Sequence, residues 1–497
     1  MSDVNKKMAK GAAWMVLFKI FERSIGLVST IILARLLVPA DYGLVALAMA
    51  IISVLEVLGA FSFDVILIQK QQADRSQYDT AWTFNVIVGV VSAIALAFLA
   101  RPVAVFYADS RLEWIIYALA LAPLASGFDN IGVVAFRKNM EFHKEFKFLV
   151  AKKIVAFAVT LAVALLFRNY WALIVGTITS RFAGVALSYI SQSYRPRFSL
   201  VQRKELFHFS KWLFLNNLIL FINNKSADFI VGKIGGSHSL GVFSVAYEIS
   251  NLPTTELVSP INRAVFPGYA RMSHDLSALR QGYLNVLSLA SLFVVPMGLG
   301  VAATAPWFVP LLLGEKWLDA IPLMQILACY GIIQALQSNT GSIYLAQGKP
   351  RTIAYLVLIF NAMLVPSLIF GVARYGAQGA AFALLICAAI VFPINMIVLF
   401  QTLRLRALSF VSVIWRPLSA GALMVAIVKF FPSADPSAPW WILILQLLMV
   451  IVSGAAAYSA VIFFSWKACG YPAGAEAIIL DRVKQKISRN VSKVDNI

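Results

Sequence analysis

The chain has 497 residues, 60% of them hydrophobic and 13% charged, with a mean hydropathy of +0.80. Soluble domains carry about 25% charged residues, so this composition excludes an ordinary water-soluble protein and indicates a membrane one. The formal charge of +19 is scattered through short connections and forms no stripe, which argues against nucleic acid and makes the basic residues a readout of membrane orientation.

The basic start MSDVNKKMAK runs into an apolar stretch with no small-residue cleavage site, which predicts a retained first helix and not a removed signal peptide. A spanning helix needs about 20 mostly apolar residues. With polar and Gly/Pro-containing breaks as punctuation, about fourteen spans are expected, at 11–35, 44–68, 80–100, 113–135, 148–167, 170–192, 209–233, 240–266, 282–305, 320–346, 352–372, 376–400, 411–431 and 441–465. The seventh and eighth meet at the tight turn Gly235-Gly236-Ser237-His238. The last thirty or so residues form a polar tail, whose 475–487 part reads as an amphipathic helix on the membrane surface.

Lys and Arg in short loops mark the cytoplasmic side. With the N-terminus inside, about 28 fall on inner segments and about 8 on outer ones. Both termini are therefore expected in the cytoplasm. Cys329, Cys387 and Cys469 have neither paired nor metal-type spacing, and the four histidines are spread singly. No metal site or cofactor is expected.

The chain also repeats itself. Residues 11–52 lie without gaps on 209–250, so that Trp14 falls on Trp212, Arg35 on Lys233, Gly43 on Gly241 and Ala48 on Ala246. Six spans separate the copies, so both halves share one orientation. Parallel repeats of this kind place a substrate path between the halves.

Ionisable side chains in a bilayer are costly and mark functional sites. The first span carries Lys19, Glu22 and Arg23, the second Glu56 with Asp64 near its inner end, and the sixth Arg181. In the seventh, Asn217, Asn224 and Asp228 share one stripe, and Lys225 is placed to pair with Asp228. The eighth carries Glu248, Asn251, Glu256 and Asn262, with Arg263 near its inner end. Its polar stripe must face protein or water: either a cavity or a hydrogen-bonded helix interface. Later spans are poorer, with Asn361 and Asn395 the main exceptions. A cavity holding Lys19, Arg23, Arg181 and Lys225 attracts an anion, phosphate being the natural one. Glu22, Glu56, Asp228, Glu248 and Glu256 are candidates to neutralise these cations or to take up a coupling ion, H+ or Na+. Asn217, Asn224 and Asn251 complete the expected polar lining.

Several loop signatures resemble those of polysaccharide-transport flippases. They are Arg35-Leu-Leu-Val-Pro39-Ala-Asp41-Tyr42-Gly43-Leu44, Leu312-Leu-Gly314-Glu315-Lys316-Trp317, Phe136-Arg137-Lys138-Asn139-Met140-Glu141-Phe142 and Ala346-Gln-Gly348-Lys349-Pro350. They are most similar to the Wzx-type, colanic-acid-exporter branch of the multidrug/oligosaccharidyl-lipid/polysaccharide (MOP) exporter superfamily. The resemblance implies an all-α integral membrane protein with two pseudo-symmetric six-helix lobes (1–200 and 201–402) around a central cavity. It implies two further helices at 403–466 before the cytoplasmic basic tail at 467–497.

It also implies export, across the bacterial inner membrane, of undecaprenyl-pyrophosphate-linked oligosaccharide units for exopolysaccharide, capsule or lipopolysaccharide synthesis. The expected partners are that lipid-linked oligosaccharide and membrane lipids, with a polysaccharide polymerase and chain-length machinery as further candidates. The chain is expected to be a transporter and not an enzyme. The alternatives are a cation-coupled multidrug exporter or a peptidoglycan-precursor flippase of the same superfamily. A polytopic polysaccharide polymerase or ligase is the least favoured.

Overall fold

The computed structural model describes the backbone of residues 3–58, 67–68, 74–432, 435, 438–472 and 474–477. Side chains are described for these except residues 3–13, 16, 58, 204–220, 222–224, 253, 255–257, 259–260 and 263–264. Every regular element among them is helical. The chain forms two compact units, Met1–Ser244 and Val245–Ile497.

In the first unit α1 (Asp3–Leu36) is followed by α2 (Pro39–Leu58). Pro39 opens α2 where a missing N–H costs nothing, and Asp41 in the first turn accepts the Val38 N–H at 3.2 Å. The long α3 (Arg75–Tyr107) starts with a reciprocal cap, in which Asp74 accepts from Gln77 N–H at 3.1 Å and Gln77 Oε1 from Asp74 N–H at 3.3 Å. That is the capping-box geometry expected of D-x-x-Q. The fourth predicted span is broken into α4 (Arg111–Leu119), α5 (Leu121–Gly127), a 3-10 turn (Ile131–Val133) and α6 (Val134–Lys138). Its two halves bend by 62°. Next come α7 (Phe142–Phe167) and α8 (Trp171–Ser191), an antiparallel pair.

The strap 192–202 is extended and tied back onto α3. Asp79 accepts from the Tyr194 hydroxyl at 2.6 Å and from Arg197 N–H at 2.8 Å, and Thr83 Oγ1 accepts from Ser199 N–H at 2.9 Å. Burial, and the hydrogen bond to the Asp79 carboxylate, push the Tyr194 phenol above its usual range, so it stays the donor.

The helix α9 (Arg203–Arg271) is two arms meeting at Gly236, whose φ of 76° breaks the helical path inside the predicted turn. Only glycine adopts such a φ freely. The second unit continues with α10 (Leu276–Phe308), α11 (Ala320–Gln337) and α12 (Thr340–Ala346). Then α13 (Pro350–Leu403) folds back at Gly376, with φ of 58°. On either side of that turn a Cβ at Gly371 or Gly379 would overlap the other's backbone, so the two arms cross in direct contact. The last helices are α14 (Ala407–Val428) and α15 (Trp440–Ala468).

Ten helices among the described residues are long and apolar enough to cross a membrane, or eleven with the bent fourth span. In chain order the predicted spans fall on α1, on these helices and on the arms of α9 and α13, with 59–66 of the second span outside the described residues. The core of the second unit is built on fully buried Tyr269, Tyr283, Tyr344 and Trp317. Asn395 ties α13 to α11 and α12 there: its amide donates to Gln337 Oε1 and Thr340 Oγ1, each at 3.2 Å, and its Oδ1 accepts from Tyr344 at 2.8 Å.

The internal repeat reappears as a contact. The 198-residue offset pairs Pro39 with Ser237 and Gly43 with Gly241. A Cβ at Gly43 would overlap the carbonyl of Ser237, and a Cβ at Gly241 would overlap that of Pro39. Two equivalent positions touching each other's equivalents is the signature of a local two-fold relation between the hairpins. Small residues permit such backbone approach in membranes.

Candidate functional site

The first unit holds an ionic cluster on three helices and the break in the fourth span. Arg181 of α8 donates through Nη2 to Glu56 Oε1 of α2 at 2.7 Å, both side chains partly exposed at 32% and 40%. Asp129, at the break of the fourth span, and Lys152 of α7 lie within electrostatic reach of Arg181 and of each other. Two acids and two bases make the group neutral as a whole, which lowers the cost of keeping it among apolar helices.

Local sequence explains each placement. The α7–α8 seam pairs Gly176 with Thr160 and Gly184 with Lys152, as antiparallel helices require. A Cβ at Gly184 would lie 3.0 Å from Lys152 Nζ and 3.5 Å from Asp129 Oδ1, so the absent side chain makes the space in which the two charges meet. Asp129 is held through its neighbours. Gly127 packs on Gly89 of α3. Asn130 donates from its backbone to Ser188 Oγ at 2.9 Å and from its amide to the Tyr194 carbonyl at 2.7 Å, while its Oδ1 accepts from Gly132 N–H at 2.9 Å. The Asp129 carboxylate itself is left with a buried Oδ1 that has no hydrogen-bond partner. A buried unsatisfied oxygen is an exception in native proteins and calls for a role.

The remaining expected residues take different positions. Lys19 pairs with Glu22 on its own helix at 2.9 Å and is exposed at 54%. Arg23, one residue on, is half-buried. Lys225 and Asp228 form the expected pair, at 2.7 Å, with Asp228 the more buried. In the second unit Glu248 is exposed. Asn251 is 8% exposed, donates to the Tyr247 carbonyl of its own helix at 2.9 Å and fronts Gly331 of α11. Asn262 and Asn361 each have a buried Oδ1 without a partner. The side chains of Asn217, Asn224, Glu256 and Arg263 lie outside the described residues, as does Asp64.

Sequence reasoning missed Asp129 and Lys152 as members of the site. Asp129 sits in GFDNIG, inside the predicted span 113–135, and Lys152 counts as one more inner positive charge. The signal for Asp129 was its position well inside a predicted span.

Comparison with known proteins agrees with this architecture. The lipopolysaccharide biosynthesis protein WzxC of Escherichia coli (strain K12) is 25% identical over 77% of this chain and 79% of its own length. The succinoglycan biosynthesis transport protein ExoT of Rhizobium meliloti (strain 1021) is 24% identical over 93% of both chains. Among solved structures, the lipid II flippase MurJ in an inward closed conformation superposes with a TM-score of 0.73 at 12% identity, covering 91% of this chain and 98% of that one. That likeness establishes the all-α, many-helix transporter fold. Residues 32–322 match the profile of the family described as polysaccharide biosynthesis protein; with more than half of its length matched, this multi-pass membrane chain belongs to that family.

Proposed function

We propose that the chain is a flippase that carries undecaprenyl-pyrophosphate-linked oligosaccharide repeat units across the bacterial inner membrane for surface or secreted polysaccharide assembly. The two six-helix halves, 1–200 and 201–402, would open alternately to either side, with both termini in the cytoplasm. The observation that carries the reading is the Glu56–Arg181–Asp129–Lys152 cluster on spanning helices of a polysaccharide biosynthesis family member.

Its chemistry suits a pyrophosphate. Arg181 already donates through Nη2 to a carboxylate oxygen, and a phosphate oxygen is an equivalent acceptor for a guanidinium. Protonation of Asp129 would loosen its hold on Lys152 and Arg181 and free them for the incoming anion. Deprotonation would return the cation to its carboxylate and release the head group on the other side. The cluster stays near neutrality throughout, which removes the large cost of an uncompensated charge. Lys225–Asp228 and Lys19–Glu22 would extend the same logic along the path, with H+ or Na+ as the coupling ion.

Loss of the gene, with analysis of lipid-linked intermediates, tests this. Repeat units retained on the inner leaflet support the reading, and unchanged outward delivery contradicts it.

A further inference from the structure

The second unit contains a cavity of about 840 Å³ between α10, α14 and α15, lined almost wholly by apolar side chains such as Phe293, Met297, Met424, Ile451 and Phe463. Phe293, Met297, Ile451 and Phe463 are each more than 40% exposed, so the cavity is a groove open to the lipid. One end of it is charged. Arg416, counted from sequence with the inner loop charges, is instead the tenth residue of α14 and is buried, its side chain 5% exposed. Its ion partner is Glu476, 8% exposed, at 3.0 Å.

Glu476 reaches that place on a strap. After α15 the chain reverses at Gly470 and Tyr471, both with positive φ, and the Trp466 indole donates to the Pro472 carbonyl at 3.0 Å. Ala475 N–H then donates to Ser288 Oγ of α10 at 3.1 Å. Ala475 and the Glu476 side chain are buried against α10 and α14, so the start of the expected surface helix at 475–487 is held in the protein. Residues from 478 on lie outside the described residues. The edge-packed Trp466–Tyr471 pair, with ring centroids 4.8 Å apart, marks this end as the membrane interface, where such aromatics concentrate. The Glu476 carboxylate is incompletely satisfied: Oε2 is buried and without a hydrogen-bond partner.

We infer that Arg416 and the α10–α14–α15 groove form a site for an anionic glycerophospholipid, with the Glu476 carboxylate occupying the place of its phosphate in the strapped state. The Arg416 guanidinium, paired in the strapped state with Glu476, supplies the anion contact. The groove supplies an apolar bed of the size typical of ligand pockets. Its opening toward the bilayer makes a membrane phospholipid the occupant, entering sideways. An anion bound to Arg416 competes with Glu476, so strap release and lipid binding are one equilibrium.

The test uses the purified full-length protein and native mass spectrometry, with phosphatidylglycerol and phosphatidylcholine of identical chains as the probes. Glu476→Gln should raise retention of phosphatidylglycerol about tenfold over wild type and leave phosphatidylcholine unchanged, since a neutral amide no longer competes for Arg416. Gly300→Phe should abolish retention of both: a side chain at Gly300 meets nothing within 4 Å and points into the groove without disturbing packing. Arg416→Gln should erase the preference between the two lipids. If that variant does not fold, the first two decide. Wild-type retention of phosphatidylglycerol by Glu476→Gln, or undiminished retention by Gly300→Phe, overturns the proposal.

Discussion

Asp129 is the residue on which the proposed coupling turns. Its Oδ1 is buried and unpartnered, yet Lys152 and Arg181 lie close enough to act on it. A carboxylate so placed can gain or lose a proton without rebuilding its hydrogen bonds. Asp129→Asn removes the titration and keeps the shape. Export through that variant should therefore lose its dependence on an imposed pH gradient, measured in inverted vesicles, while wild-type export keeps it. Arg181→Ala strands Glu56, its partner at 2.7 Å. Export should fall about tenfold or more, a loss of at least 1.4 kcal/mol in transition-state stabilisation. The double variant with Glu56→Ala should insert better than Arg181→Ala alone, because it leaves one fewer uncompensated charge. Membrane fractionation with quantitative blotting checks that ordering. Glu56 and Arg181 were legible from sequence because each interrupts a long apolar run. Asp129 and Lys152 were not, because one sits in a span that reads as unbroken and the other looks like a topological charge, and their meeting depends on how three helices pack around the break.

At the scale of elements, glycines decide which backbones and charges can meet. Gly184→Leu fills the space above Lys152 Nζ, only 3.0 Å from where a Cβ would sit. It should impair export as severely as Arg181→Ala while leaving the amount of inserted protein unchanged, as polymer assay and membrane blot together would show. Gly43→Ala acts elsewhere, forcing apart Gly43 and Ser237, which touch across the two repeated hairpins. Overpacking of this kind costs about 1–3 kcal/mol, so Gly43→Ala and Gly241→Ala should each lower the thermal stability of the purified protein. Equal effects from the two would support the local two-fold relation. The hairpin turns at Gly236 and the fourteen spans were readable because length and apolarity define a span. The bend in the fourth span was not, since 113–135 is apolar enough to pass for one straight helix. The polar stripe of the eighth span was readable as a stripe, but sequence does not say what it faces. Asn251 turned out to donate to its own helix and to front Gly331.

For the whole molecule, the charge bias between inner and outer loops, the repeat and the family match over residues 32–322 bear on one claim: outward movement of a lipid-linked sugar unit. The flippase structure it resembles establishes the fold alone, because 12% identity carries no substrate with it. What separates the proposed activity from that of a drug exporter is a cluster on spanning helices with two cations beside its acids, suited to a pyrophosphate head group. The most direct measurement is made in a strain lacking this gene, with lipid-linked repeat units labelled and their leaflet determined by the access of an external glycosidase or lectin. The account predicts that the units accumulate on the cytoplasmic leaflet, that wild-type protein restores external access, and that Arg181→Ala does not. Repeat units reaching the outer leaflet at the normal rate without the protein would contradict it.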